Sequence, residues 1–348
     1  MGDTPELFQS LMGLCLFHLV RARHEVAHEL SQQLLGLAAR LHDDELTMEA
    51  RYSFGVTLYW LGKPMVAVGH LEQGLVMYDA ERHRGHAVAY GQDPAVASRI
   101  QLSLALWLLG YPDQALAHMR AAISHARDIG HAFSLAFALE FAAAYLHHMR
   151  REPEAVAEHA RALLTFAAEQ EILIFSFTGA VDEGGAWSGN GEAPIDQIRA
   201  ALASLWATGS EIAHPFRLTL LVRCLARTGQ IDEALETLTE ALVRMERTSE
   251  RWWEAEAHRL MGDLLLQRSP TAVDQAEGYY RRAVERAQKQ GAKSLELRAS
   301  TSLAQLWRDQ SKRVEARDLL KPVYCWFTEG FDTLDLKEAK GLLDELAV

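Results

Sequence analysis

The sequence has few cysteines, no dense basic block and no long apolar run. Cysteine occurs three times in 348 residues, at Cys15, Cys224 and Cys325. The three are far apart, their number is odd and no C-x-x-C occurs, so neither a disulfide framework nor a cysteine zinc site is encoded. A reducing, cytoplasmic setting is expected, with buried thiols serving as small apolar groups. Lysine and arginine number 35 against 47 acidic residues, a formal net charge of −12. That balance suits a phosphate backbone poorly, and no nucleic-acid partner is expected. Residues 11–17 are apolar, far short of the roughly 20 that span a bilayer. Asp3 and Glu6 stand where a signal peptide carries positive charge, so neither a membrane partner nor a leader is expected. No G-x-x-x-x-G-K-[ST] loop occurs, which excludes P-loop ATP hydrolysis. Ser134 and Ser188 lack a G-x-S-x-G context, so nucleophilic catalysis has no support. Strand signals are nearly absent, and the tempting run at residues 172–175 is read as helix in register.

What is present is periodicity. Gly62-Lys63-Pro64-Met65-Val66-Ala67, Gly110-Tyr111-Pro112-Asp113-Gln114-Ala115 and Gly229-Gln230-Ile231-Asp232-Glu233-Ala234 each place Gly five residues before Ala. Gly ends one helix in the left-handed conformation and Pro or Asp starts the next. Weaker copies centre on Ala27, Ala155, Ile195, Ala276 and Ala316, and the eight anchors are spaced 40, 48, 40, 40, 39, 42 and 40 residues apart. After the turn comes small, bulky, small: Ala115/Met119/Ala122, Ala234/Leu238/Ala241, Ala276/Tyr280/Ala283 and Ala67/Leu71/Gly74. Those offsets share one helical face.

This grammar predicts an all-α fold, an α-solenoid of about eight tetratricopeptide-like (TPR-like) hairpins in one superhelical domain over residues 1–348, with a capping helix at 333–347. A HEAT-like array is the alternative. Two places break the period: an insertion within residues 76–96 and a glycine-rich segment at 182–191.

Several longer stretches narrow the reading: Thr4-Pro5-Glu6-Leu7-Phe8, Tyr90-Gly91-Gln92-Asp93-Pro94, residues 106–115, residues 131–138, Glu250-Arg251-Trp252-Trp253-Glu254-Ala255-Glu256 and residues 322–333. Through them the chain resembles the C-terminal TPR region of large bacterial regulators that join a class III nucleotide-cyclase domain, or another effector, to a STAND-type ATPase. The helical arm of the maltose-regulon activator is a more distant relative. The resemblance implies a sensing or docking arm that receives a partner or inducer and controls an ATPase switch. The phosphate loop and an assignable cyclase carboxylate pair are missing, so an excised arm or a stand-alone relative is expected.

Candidate sites follow. His24-Glu25-Val26-Ala27-His28 spells H-E-x-x-H, in which two histidines one turn apart hold zinc and the glutamate acts as base. No third-ligand continuation follows, and Ala27 is a packing anchor, so accidental spelling is the preferred reading and a zinc hydrolase the remote one. His147-His148 and His83 with His86 are read as surface or groove histidines. No cofactor is expected.

Positions counted back from each anchor should line the concave groove: Glu49, Tyr52, Tyr59, Trp107, Phe137, Glu140, His147, Trp187, Phe216, Arg223, Arg298 and Arg308. A protein or peptide segment, or the regulator's own ATPase or cyclase module, would pack on these aromatics. The other readings are a small effector captured in the groove, and aromatics buried as core between repeats.

Overall fold

The computed structural model describes residues 3–187, 189 and 192–347, with all their side chains except those of residues 142 and 143. Among the described residues there is no strand. The helices pair as α1 (Pro5–Val20) with α2 (His24–Leu41), and α3 (Asp44–Trp60) with α4 (Pro64–Val76). After a short α5 (His86–Tyr90) come α6 (Pro94–Leu108) with α7 (Pro112–Ile129). The fourth first helix is broken into α8 (Ala132–Phe137), a π-helical segment (Ala138–Tyr145) and α9 (Leu146–Arg150), and it pairs with α10 (Pro153–Glu169). Then follow α11 (Leu173–Gly185) with α12 (Ile195–Ala207), and α13 (His214–Arg227) with α14 (Ile231–Thr248). The last pairs are α15 (Glu254–Arg268) with α16 (Val273–Gln290) and α17 (Lys293–Asp309) with α18 (Arg313–Trp326), and α19 (Leu334–Ala347) closes the array. The chain is therefore an all-α, TPR-like solenoid of eight hairpins with a capping helix.

Each second helix buries its fourth residue. Ala27, Ala67, Ala115, Ala234, Ala276 and Ala316 occupy that place with no exposed surface. In units four and five the equivalent residues are Val156 and Ile198, one and three positions beyond Ala155 and Ile195. Pro153 opens α10 and sets its register, and α12 begins at Ile195 itself. The bulky partners Met119, Leu238, Tyr280 and Leu71 are buried, and Gly55 explains why small residues precede them. A Cβ on Gly55 would stand 2.7 Å from Leu71 Cγ.

The solenoid is wound tightly enough for its turns to touch. The Val20 carbonyl accepts from the Glu211 and Ile212 amides at 2.9 and 3.1 Å, and the Trp60 carbonyl accepts from the Arg251 amide at 2.8 Å. The Trp107 carbonyl accepts from Ser294 Oγ at 2.5 Å, and the Met149 carbonyl from the Arg298 guanidinium. These carbonyls sit at the C-terminal ends of the first helices of units one to four, where a helix leaves its carbonyls unpaired. Their partners lie at the starts of the first helices of units six to eight. Units one to three thus each meet the one five places on, head to tail, with the helix dipoles aligned, and unit four meets unit eight. Glu329 completes the seam by accepting from the Asp113 and Gln114 amides at 2.9 and 3.1 Å, a cap that Tyr111, the residue preceding α7, does not supply.

Candidate ligand-binding lumen

A tightly wound superhelix has an interior, and here its own aromatic rings fill the middle. Tyr59 and Trp60 meet Trp252 at centroid distances of 5.3 and 5.7 Å, and Trp252 meets Phe216 at 5.3 Å. Phe216 contacts Tyr145 at 4.5 Å, and the chain of rings continues through Phe141 and Phe137 at 4.8 and 4.6 Å. Glu250, fully buried, ties this hub together. It accepts from Trp252 Nε1 at 3.0 Å and from the Ala213 amide at 3.2 Å, and stands 3.4 Å from His24 Nε2. The ring wall leaves a cavity on either side, and the two share no lining residue.

The first cavity, about 400 Å³, is apolar. Leu16, Leu19, Val56, Trp60, Phe133, Phe137, Phe141 and Phe175 line it, with Tyr52 and Tyr90. The insertion builds one wall: Tyr90, Gly91 and Gln92 reach the cavity, and Gln92 Nε2 donates to Tyr52 Oη at 2.6 Å. At its edge lies a buried ion pair, Glu140 with Arg217 at 2.7 Å, each side chain only 2% exposed. Burial raises the Glu140 carboxyl to about 7, against the pull of Arg217. Glu140 sits in the π-helical segment, whose widened turn is a feature that concentrates at functional sites. The buried Gln101 amide also lines the cavity, and its oxygen has no protein partner.

The second cavity, about 390 Å³, is polar. One face of α13 supplies Phe216, Thr219, Leu220, Arg223 and Arg227. The opposite walls bring Glu256, Arg259 and Asp263 from α15, Arg298, Thr301 and Gln305 from α17, and Arg151, Asp335 and Glu338 at the seam. Arg298 binds Asp335 at 2.7 Å, Arg259 binds Glu256 at 2.9 Å, and Arg151 binds Glu338 at 2.6 Å. Glu256 titrates at about 2: burial opposes ionisation, and the Arg259 and Arg298 charges outweigh it.

The groove residues chosen from sequence divide accordingly. Tyr52, Phe137 and Glu140 line the apolar cavity; Phe216, Arg223 and Arg298 line the polar one. Tyr59 and Trp107 are fully packed between turns, at 0% and 2% exposure. Arg298 lies over the Trp107 ring at 5.1 Å. Glu49 is buried under the insertion and bonded to His86 at 2.7 Å. His147 turns outward to Glu152, the Trp187 carbonyl accepts from Arg227, and Arg308 pairs with Asp309 and Glu345 on the surface. The sequence missed Gln101, Arg217 and the Phe133/Phe141/Phe175 cluster. Arg217 carries a signal in retrospect, as an arginine in an otherwise apolar helical face.

The H-E-x-x-H residues have separate duties. His24 stacks on Trp60 at 5.8 Å, His28 stacks on Phe54 at 4.9 Å and bonds Thr57 at 3.1 Å, and Glu25 accepts from Ser249 at 2.8 Å. Among the described residues, Glu45, His83 and His86 are the group that brings three metal-type ligands within 4.8 Å. His83 Nδ1 accepts the Asp79 amide at 2.9 Å, and His86 spans Glu49 and Glu45 at 2.7 and 3.3 Å. The Glu49 and Glu45 carboxylates beside His86 favour its protonated form and raise its pKa above the ordinary value, against its burial. Cys15 and Cys224 are buried as expected, whereas Cys325 is exposed. Of the glycine-rich segment, residues 182–185 form the last turn of α11, where Gly184 packs on Ile198 and Gly185 on His148 and Leu220. Ser188, Asn190 and Gly191 lie outside the described residues.

No family model matches the chain. A protein of Rhizobium meliloti (strain 1021), described as uncharacterized, is 26% identical over 289 residues. The match covers 81% of this chain and 27% of that protein, so the chain spans about a quarter of its relative's length. Among solved structures, a Rap protein complexed with competence and sporulation factor aligns with a TM-score of 0.58 at 13% identity, covering 98% of this chain and 97% of that one. It shares the fold. Yeast Tom70 aligns with a TM-score of 0.44 at 10% identity over 93% of this chain and 58% of its own. Among the described residues no helix is long and apolar enough to cross a membrane.

Proposed function

We propose that this chain is a non-catalytic sensing arm that receives a small amphipathic effector in the apolar half of its lumen. The observation that carries this is the cavity of about 400 Å³ between superhelical turns, partly open to solvent, apolar on its walls and bearing the Glu140–Arg217 pair at its edge. Small-ligand sites have this size and this mix of apolar walls with a few placed polar groups. A groove for a protein helix would need a long open surface, and the inner rings already occupy it. A protein partner, including an ATPase or cyclase module, then docks on the outside and reads the occupancy of the lumen. The resemblance to the TPR arms of STAND-type regulators supports such a division, as does a relative in which the matched segment is about a quarter of the length.

The test uses Prodan, a neutral fluorescent probe of apolar cavities. Saturable binding with one site per chain is expected, lost in Val56→Trp, which fills the cavity, while the helical circular dichroism is kept. Absence of saturable binding to the wild type, or equal binding to a folded Val56→Trp variant, contradicts the proposal.

A further inference from the structure

The polar cavity holds one cation too many. It is lined by five arginines, Arg151, Arg223, Arg227, Arg259 and Arg298, against four carboxylates, Glu256, Asp263, Asp335 and Glu338. Four of the five guanidinium groups are engaged: three bind carboxylates, and Arg227 donates to the Trp187 carbonyl. Arg223 makes neither a hydrogen bond nor an ion pair among the described residues, and its side chain is only partly covered because it faces the cavity. Burial and the neighbouring charges of Arg227, Arg298 and Arg151 depress its pKa to about 10, with Glu256 opposing them. His148, from α9 on the same cavity, is held neutral, its pKa pushed down to about 3 by burial and by Arg223. An unpaired, partly buried cation among cations is costly, and fold stability gives no reason to retain it. An oxyanion would remove that cost, since guanidinium matches carboxylate and phosphate with two parallel hydrogen bonds.

We propose that the polar half of the lumen is a second binding site, for the oxyanion head of a small ligand, with Arg223 as its clamp and the Gln305 amide, on the opposite wall, as a further donor. The head is a carboxylate, as at the end of a short peptide, or a phosphate ester. This site is spatially separate from the apolar cavity, and the two share no wall residue.

The test measures binding to the full chain by calorimetry at low salt. The probes are inorganic pyrophosphate, N-acetyl-trialanine with a free C-terminus, and the same peptide amidated. Saturable binding of pyrophosphate, or of the free but not the amidated peptide, is expected, and which of them binds identifies the source of the head group. Arg223→Ala should weaken that binding about tenfold or more, as for loss of a charge-assisted pair, Arg223→Lys should weaken it less, and the surface control Arg308→Ala should leave it unchanged. A thermal readout separates this from a structural role. Without ligand, Arg223→Ala should melt at or above the wild-type temperature, whereas Arg298→Ala, which breaks a bonded pair, should melt well below it. Failure of all three probes to saturate, or an Arg223→Ala variant as destabilised as Arg298→Ala, overturns the proposal.

Discussion

At the scale of the residue, the interior is notable for ionisable groups whose charged forms burial opposes. Asp182 is fully buried with its carboxyl 3.4 Å from His148 Nε2, and burial raises it to about 8, with Arg217 opposing. Glu140 is raised to about 7. His148 and His214 are both lowered to about 3, chiefly by burial. The two classes act in opposite directions on stability. A raised carboxyl keeps its proton longer in the folded chain, so its contribution is full below the unfolded value and is lost as pH rises toward the folded one. A depressed histidine contributes above its unfolded value and loses stability as pH falls toward about 3. Between about pH 7 and 8, Asp182 is the member of this set still titrating. Asp182→Asn should therefore flatten the fall of melting temperature over that interval relative to the wild type. An unchanged slope in a thermal melt series would show that Asp182 ionises at ordinary pH.

At the scale of the element, the starts of α4 and α7 were the most legible because they follow from local chemistry: a left-handed glycine (Gly62, Gly110), a proline in the first turn, then a small buried residue; before α2, α10 and α18 the left-handed residue is Ala22, Arg151 or Ser311. Units four and five slipped in register because Ala155 and Ile195 are plausible anchors by type, and only packing selects Val156 and Ile198. The groove was half legible. Counting back along first helices found Tyr52, Phe137, Glu140, Phe216, Arg223 and Arg298, since facing inward is a property of one helix. Whether an inward residue lines a cavity or is covered by the next turn depends on contacts nearly two hundred residues away, such as Trp107 with Ser294. Tyr59 and Trp107 were therefore indistinguishable from true lining residues, and the alternative that aromatics form core holds for these two. The same limit applies to Gly110. Its φ of +91° explains glycine as a helix stop, but a Cβ there would also lie 2.6 Å from Trp326 Cζ3 and 2.9 Å from Lys293 Cβ. Gly110→Ala should cost more than the left-handed strain of about 1 kcal/mol alone, reaching roughly 2–4 kcal/mol because the seam must open. Chemical denaturation measures this. A loss of 1 kcal/mol or less would mean that the α6–α7 turn does not bear on the second superhelical turn.

At the scale of the whole molecule, winding creates the site. Hairpins alone would give an open concave ribbon. Because first-helix ends of units one to four bond to first-helix starts of units six to eight, the ribbon closes on itself and leaves two chemically distinct, partly open cavities. The insertion within residues 76–96, held by His86 on Glu49 and Glu45, supplies a wall of the apolar one. A ligand in either cavity would contact both turns and so would change how firmly they dock, which would give the proposed sensing arm a means of signalling outward. The account thus rests on the docked seam. Its most direct test is amide hydrogen exchange at Glu211 and Arg251, two residues in connections between helices whose N–H groups donate across the seam to Val20 and Trp60. Docked turns predict that both amides exchange as slowly as core helix amides, about a thousandfold or more below free-loop rates. Exchange at loop rates would mean that the turns stand apart, the lumen is open, and the two cavities do not exist in solution.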